Sequence, residues 1–321
     1  FAENIIITNI ANKKYSYLKE KSVKSVDKNV EKNIFSKVKG LIFHKVGNAM
    51  VNGTDNIIIS YFLGVSTVGL YSNYRLIINL VSTLFNQIIS ANTAGIGNLL
   101  ITETKEKCFI IFKRIRFLNF WIAAFSGICI FIIIQPFIKI WVGKEYLLPL
   151  IVVFVLVFNY FQKTMRSTYN TFKDSAGIWI QDKFVPVIES TLNIIFSVVL
   201  LKFFGLAGVF MGTIISGLSL WCYSYPKFVY KKLFNRKYID YAKETIGYIM
   251  LFLVLLVITY FVSLFFIVNN IFLQIIINIL ICLIVPNILL ILIYMKSDNF
   301  KYFMSLLKNI LKKIFNKIIL K

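Results

Sequence analysis

Long apolar stretches decide what this chain can fold into. Eight of them are long enough to cross about 30 Å of hydrocarbon as a helix, which takes about 20 residues. They lie near residues 43–63, 70–98, 117–139, 147–170, 184–203, 206–226, 245–268 and 271–294. These runs are too long, and alternate too little, for the strands of a membrane β-barrel. The sequence therefore predicts an all-α integral membrane protein with about eight transmembrane helices.

The composition supports this fold class. The 321 residues are 58% hydrophobic, yet the formal net charge is +22. Soluble proteins rarely combine the two, whereas a membrane protein concentrates its charge in loops. We therefore predict no nucleic-acid partner. The four cysteines stand singly, without metal or redox spacing, and we interpret them as packing residues: Cys108, Cys129, Cys222 and Cys282.

Lysine and arginine are distributed unevenly along the chain. Of the 36, 31 lie in the alternate segments 1–40, 101–116, 163–183, 227–243 and 296–321. The opposite connections hold only Lys139, Lys144 and Lys202. Because cytoplasmic loops carry the excess of basic residues, we predict a multi-pass protein of the cytoplasmic (inner) membrane, with both ends of this chain in the cytoplasm.

The basic tail, residues 299–321, has apolar side chains at helical spacing and lysines on much of the opposite face. The apolar positions are Phe300, Phe303, Leu307, Ile310, Ile314 and Ile318. One interpretation is an amphipathic helix lying on the anionic lipids of the inner leaflet. The alternative is an ordinary helix docked under the bundle.

Polar side chains interrupt four of the predicted spans in a regular way. In the stretch "HKVGNAMVNGTDNIIIS" (44–60), they recur every four residues, which places them on one helix face. That face holds His44, Asn48, Asn52 and Asn56, flanked by Lys45 and Asp55. The other three stripes are Arg75, Asn79, Ser82, Asn86 and Ser90; Asn159, Lys163, Arg166 and Asn170; and Glu189, Asn193 and Ser197.

The charged members of these stripes need a shared explanation. A charge at the centre of a membrane helix costs roughly 2.5–3.5 kcal/mol. Hydrogen bonds between helices explain some asparagines and serines, but not Asp55, Arg75 and Glu189. We therefore predict a polar interior shared by four helices. From their depths in adjacent spans, we also predict an Asp55–Arg75 pair, in which neutralising one partner harms the protein more than neutralising both.

The sequence favours transport over catalysis. The predicted outer connections are short, and the sequence contains one histidine and no HExxH, glycine-rich phosphate loop or Walker pattern. We predict no enzyme, catalytic residue, metal or cofactor. Polar groups at mid-membrane instead suit a transporter. In the sixth span, Gly208, Gly212 and Ser216 recur every four residues, which predicts close approach of another helix.

Four segments together resemble a known family. They are "KVGNAMVNGTDNIIISYFLGVSTVGLYSNY" (45–74), "QPFIKIWVG" (135–143), "DSAGIWIQDKFVPVIESTLNIIFSVVL" (174–200) and "GLAGVFMGTIIS" (205–216). These segments resemble the oligosaccharide flippases of the polysaccharide transport family. That family belongs to the multidrug/oligosaccharidyl-lipid/polysaccharide exporter superfamily.

The resemblance implies the second lobe of a two-lobe exporter. Segment 1–40 would be a basic cytoplasmic inter-lobe connection, 41–226 the six-helix second lobe, 227–298 two additional transmembrane helices and 299–321 the basic tail. The first lobe of the same protein would be missing. The implied activity is flipping of undecaprenyl-pyrophosphate-linked oligosaccharide units from the inner to the outer leaflet by alternating access, for cell-surface polysaccharide assembly.

Candidate roles follow from residue type and depth. The predicted substrate-binding residues are Lys45, Asn48, Asn52, Arg75 and Asn79, with the cations as diphosphate contacts and the asparagines as partners of sugar hydroxyls. Asp55 and Glu189 are predicted to bind a coupling ion or to neutralise a base. Further predicted partners are anionic lipids at the cytoplasmic face and other glycan-assembly proteins.

Two other functions stay open. A cation-coupled small-molecule or drug antiporter of the same superfamily would have a more apolar and aromatic site, with prominent carboxylates and few buried cations. A non-transport scaffold of a glycan-assembly complex would tolerate neutralisation of the stripes. Lys45 and Arg75 facing a cavity would favour the flippase over the antiporter.

Overall fold

The computed structural model describes residues 2–15 and 27–319, and in these ranges all side chains except those of residues 2, 3, 52 and 310–319. The described residues form helices and short connections, with no strand among them. The predicted all-α class is therefore confirmed. Gly64 and Gly205 separate consecutive helices with φ of 88° and 56°, a backbone conformation that glycine adopts without steric cost.

Eleven α-helices follow one another along the described residues. They are α1 (Ala2–Lys14), α2 (Lys28–Leu63), α3 (Val65–Ser90), α4 (Thr93–Thr102), α5 (Lys105–Trp141), α6 (Leu150–Ser175), α7 (Val185–Phe204), α8 (Leu206–Ser219), α9 (Tyr238–Leu264), α10 (Ile271–Tyr294) and α11 (Asp298–Ile319). A 3-10 turn, Lys144–Tyr146, lies between α5 and α6, and α8 continues as a π-helix over Leu220–Leu233.

Five helices among the described residues are long and apolar enough to cross a membrane. They are Lys105–Trp141, Val185–Phe204, Leu206–Leu233, Tyr238–Leu264 and Ile271–Tyr294. The chain thus fits a multi-pass membrane protein, while the count of eight spans stays a prediction. The remaining three predicted spans fall on α2, α3 and α6, which carry polar stripes.

The predicted span 70–98 is not one helix. α3 ends at Ser90 and α4 begins at Thr93. Side chains at the break bind nearby carbonyl oxygens: Asn92 Nδ2 donates to Ile88 at 3.0 Å, and Thr93 Oγ1 donates to Ser90 at 2.5 Å. Such local bonds compete with helix continuation, which explains why apolar periodicity alone overestimated the length of this helix.

Residue contacts divide the chain into two units, Phe1–Lys39 and Gly40–Lys321. The first contains α1 and the beginning of α2, whose residues 28–39 are all exposed. The second contains everything from Gly40 onward and holds all the cavities considered below. The finer division into a lobe, two additional helices and a tail stays a prediction.

In the second unit, α5 and α6 pack against each other at the centre. α5 also contacts α3, α9 and α10, and α6 contacts α3, α4 and α8. Aromatic rings fill these interfaces, as where Phe120 of α5 stacks on Tyr248 of α9 with ring centroids 4.3 Å apart. α9 and α10 instead expose large apolar side chains, as expected of helices that face lipid.

The beginning of α11 docks against α5. The ring of Phe303 stacks on Phe117 at 6.2 Å, Phe300 stacks on Trp121 at 5.9 Å, and the Arg114 guanidinium lies 3.8 Å from the centre of the Tyr302 ring. These contacts agree with the docked-helix interpretation of the tail. Ile310, Ile314 and Ile318, on which the membrane-surface interpretation also depends, have side chains outside the described residues.

The close approach predicted at Gly208 and Gly212 is confirmed. α7 and α8 pack tightly, with Gly208 against the backbone of Leu200 and Gly212 against Ser197. A methyl group at either glycine would overlap α7.

We predict that Gly212→Ala lowers the free energy of unfolding by about 1–3 kcal/mol, the usual cost of overpacking. The matched control is Gly247→Ala in α9, where an added methyl meets nothing within 4 Å and alanine favours the helix by about 1 kcal/mol. Thermal unfolding of the purified protein in detergent measures both. Equal effects of the two substitutions would contradict the packing described.

Candidate functional site

The polar stripes line two cavities in the second unit. The first, called here the Asp55 cavity, has a volume of about 80 Å³. Its polar lining comes from α2, α3 and α6: Asp55, Arg75, Asn79, Ser82, Asn159 and Lys163. The second, the Glu189 cavity, has a volume of about 130 Å³. Its polar lining is His44, Lys45, Asn48, Arg166, Asn170, Lys173, Asp174 and Glu189.

A hydrogen-bond chain holds Asp55 in place. Thr213 of α8 donates to the carboxylate at 3.3 Å and accepts from Asn193 of α7 at 3.0 Å. Thr54, next to Asp55 on α2, donates to Asn193 at 3.1 Å. Asp55 is only 5% exposed. The chain thus joins three helices around one buried carboxylate.

Two cations interact electrostatically with Asp55, Lys163 of α6 first and Arg75 of α3 second. The sequence-based pairing named Arg75 and omitted Lys163. Periodicity had placed Lys163 on a polar face of α6, but it could not say that this face meets α2. Asp55 and Arg75 do line one cavity, and we describe the group as one carboxylate with two cations.

Glu189 has a direct partner. Arg166 Nη2 lies 2.6 Å from its carboxylate, and both side chains are almost fully buried. Arg166 also donates through Nε to the Tyr225 hydroxyl at 3.3 Å, and Tyr225 donates to Asn170 at 3.1 Å. Two roles were predicted for Glu189, binding a coupling ion and neutralising a base. This geometry corresponds to the second.

A second buried ion pair was missed from the sequence. Lys173, at the end of α6, pairs with Asp182 in the connection to α7, and both contact Ser224 at 2.8 Å. Trp179 in the same connection donates to Asp174 at 2.8 Å and lines the Glu189 cavity. Lys173 belongs to the basic segment 163–183, whose charge is predicted to lie in a loop, because nothing in the spacing of these residues indicates burial.

The predicted substrate-binding residues are divided between the cavities. Lys45 and Asn48 line the Glu189 cavity, while Arg75 and Asn79 line the Asp55 cavity. The side chain of Asn52 lies outside the described residues. Lys45 and Asp55 are ten residues apart on α2, about 15 Å along its axis. The stripes predicted one polar interior shared by four helices, and the structure has two separate cavities instead.

Charge couples the two sites. Lys163 of the Asp55 cavity interacts electrostatically with Asp55, with Arg166 and with Glu189. Across both cavities, the basic residues Lys45, Arg75, Lys163, Arg166 and Lys173 outnumber the carboxylates Asp55, Asp174 and Glu189. In residues 2–15 and 27–319, no group of three or more His, Cys, Asp or Glu is placed to hold a metal. The arrangement suits binding of an anionic group with hydrogen-bonding neighbours.

Comparison of the chain with protein-family models, with curated proteins and with solved structures finds no match. A functional conclusion therefore rests on the residues of the chain itself.

We predict that the Arg166–Glu189 pair is strongly coupled. Glu189→Gln leaves a buried arginine without its counter-charge and should lower the free energy of unfolding by about 3–5 kcal/mol. The double variant Arg166→Gln/Glu189→Gln should lower it less. Denaturation of the purified protein in mixed detergent measures these two variants and the single variant Arg166→Gln.

The control is the exposed pair Glu103–Lys107, at 2.5 Å against 2.6 Å for Arg166–Glu189 but with side chains 33% and 57% exposed. Glu103→Gln should change the free energy of unfolding by about 0.5 kcal/mol or less. Additive effects of the two substitutions at Arg166 and Glu189 would mean that the pair contributes no coupling.

Proposed function

We propose that the protein is a membrane transporter that flips undecaprenyl-pyrophosphate-linked oligosaccharide units from the inner to the outer leaflet by alternating access. The observation that carries this proposal is the excess of basic side chains in two polar cavities of an otherwise apolar bundle. The proposed transporter has about eight spans, both chain ends in the cytoplasm and a role in cell-surface polysaccharide assembly. We propose no catalysis by this chain.

The proposed substrate has three chemical parts, and the chain has a suitable environment for each. A diphosphate requires cations, which bind phosphate strongly where the dielectric constant is low; Lys45, Arg75 and Lys163 line the cavities. Sugar hydroxyls both donate and accept, as do the amides of Asn48 and Asn79. The polyprenyl tail needs only lipid, beside the cavities.

The polar face carries exposed side chains as well as buried ones. Lys45, Asn48, Asn79 and Lys163 line the cavities and are exposed within the described chain. Exposed polar groups on helices at membrane depth are costly unless they face protein or water. In the proposed transporter, the first lobe of the same protein supplies the opposite wall, and anionic lipids meet the basic cytoplasmic segments.

A specific observation favours this function over a cation-coupled antiporter. Lys45 and Arg75 line cavities, and the carboxylates Asp55 and Glu189 have hydrogen-bond or ion-pair partners. An antiporter site needs carboxylates able to take up a cation and has few buried bases. The charge balance therefore supports an anionic cargo.

We predict that Arg75→Ala reduces translocation about 10- to 100-fold, because a lost charge-assisted contact costs about 1.5–3 kcal/mol. The purified protein together with the proposed first lobe, in proteoliposomes, would be given a fluorescent polyprenyl-diphosphate oligosaccharide. Exposure of the glycan to an impermeant sugar-binding probe measures its transfer. The matched control is Lys202→Ala, which removes an exposed cation of α7 that lies outside both cavity linings.

The outcomes separate the alternatives. Unchanged translocation by Arg75→Ala would leave the flippase intact and assign Arg75 a structural role. No translocation of the native glycan under any ion gradient would instead favour the antiporter or the scaffold. If neutralising the polar residues of the stripes then did no harm, the scaffold would be favoured over the antiporter.

A further inference from the structure

A third cavity lies at the ends of the helices that are farthest from their basic termini. Called here the amide cavity, it has a volume of about 510 Å³ and lies between the end of α5, the beginning of α6 and the hairpin joining α9 to α10. Its polar lining is Gln135, Lys139, Ser263, Asn269, Gln274 and Asn278. Gln135 is 19 residues beyond Arg116 on α5, about 28 Å along the axis.

Hydrogen bonds fix the orientation of the amides in this cavity. Gln135 accepts from the Tyr74 hydroxyl at 2.9 Å and donates to the Leu148 carbonyl at 2.6 Å. Gln274 accepts from the Val268 backbone N–H at 2.8 Å and donates to Asn278 Oδ1 at 2.9 Å. The cavity wall is therefore organised before any ligand binds, which lowers the entropic cost of binding.

Hydrogen-bonding capacity is left over in this cavity. Asn278 is only 5% exposed, and among the described residues no acceptor is bound by its Nδ2. Lys139 is exposed and forms no ion pair with any described residue. An amide that lines the cavity and can still donate, beside one cation, suits a polar ligand.

The chemistry of the lining selects the class of ligand. Amide groups offer a donor and an acceptor side by side, which matches neighbouring hydroxyls. Tyr260 of α9 lines the same cavity and adds an aromatic ring that packs on apolar C–H surfaces. One lysine among neutral groups suits a hydroxyl-rich ligand with at most one acidic group, rather than a diphosphate. The volume lies within the range of about 300–1,000 Å³ of small-molecule sites.

We propose that the amide cavity is a saccharide-binding site for one or two sugar units, neutral or singly acidic, separate from the two cation-lined cavities. That this site binds the glycan of the transported lipid rests on the proposed function. That it binds a saccharide does not. The site would hold the glycan at the end of the bundle opposite the basic segments.

The experiment is saturation-transfer difference NMR on the purified full chain in nanodiscs with four soluble sugars: lactose, maltose, chitobiose and glucuronic acid. We expect at least one to bind, with Tyr260→Leu weakening binding about tenfold and Lys139→Gln weakening glucuronic acid most. The matched controls, Phe261→Leu and Lys144→Gln, alter neighbouring positions outside the cavity lining and should leave binding unchanged.

Two results would overturn the site: no binding of any of the four sugars, or binding that neither lining variant weakens. The translocation assay on the protein together with the proposed first lobe, with the same substitutions, separates this proposal from the previous one. Translocation without saccharide binding would overturn the saccharide site in the amide cavity and leave the flippase proposal intact. Saccharide binding without translocation would overturn the flippase proposal and leave the saccharide site intact.

Discussion

A charge inside a membrane bundle has to find its partner within the protein, and the helix arrangement around α6 follows from that requirement. α6 carries Lys163, Arg166 and Lys173, about one and two helical turns apart. Each interacts with a carboxylate from a different part of the chain: Asp55 on α2, Glu189 on α7 and Asp182 in the connection before α7. Three electrostatic contacts thus bring a central helix, two striped helices and one loop together. Apolar packing alone would not specify these neighbours, because lipid is as apolar as leucine.

The same requirement joins the last helices to the core. Arg116 of α5 is 1% exposed and contacts the hydroxyls of Tyr169 and Tyr230, with its guanidinium 2.5 Å from Glu244 of α9. One buried cation therefore connects α5, α6, the π-helix and α9 at their basic ends. The opposite ends of α5 and α9 have no such ion pair among the described residues, and there the amide cavity lies between them. Tight contact at one end and space at the other fit a bundle that binds ligand at its far side.

Features that depend on residues close together in the chain could be predicted from the sequence, whereas contacts between helices could not. Helical periodicity correctly predicted helices, and glycine spacing predicted the contact at Gly208 and Gly212, because both rules act within a few residues. Periodicity also placed Lys163 and Arg166 on one face, but which helix meets that face depends on tertiary packing. It could not foresee two cavities, nor the burial of Lys173 with Asp182, since a short loop between spans looks exposed. The break at residues 91–92 came from side-chain hydrogen bonds that hydropathy does not register.

The carboxylates in the cavities set a condition on the transport we propose. Asp55 and Glu189 already compensate part of the positive charge, so an incoming diphosphate competes with them for Lys163 and its neighbours. Without the carboxylates, the cations of each cavity would bind a diphosphate tightly and release it slowly; with them, each gained contact is partly offset by a weakened internal pair. Because Lys163 interacts with both Asp55 and Glu189, loading one cavity changes the electrostatic potential in the other. In the transporter we propose, the two cavities would be consecutive positions on one route, and the anion's affinity for each would depend on where it has already bound.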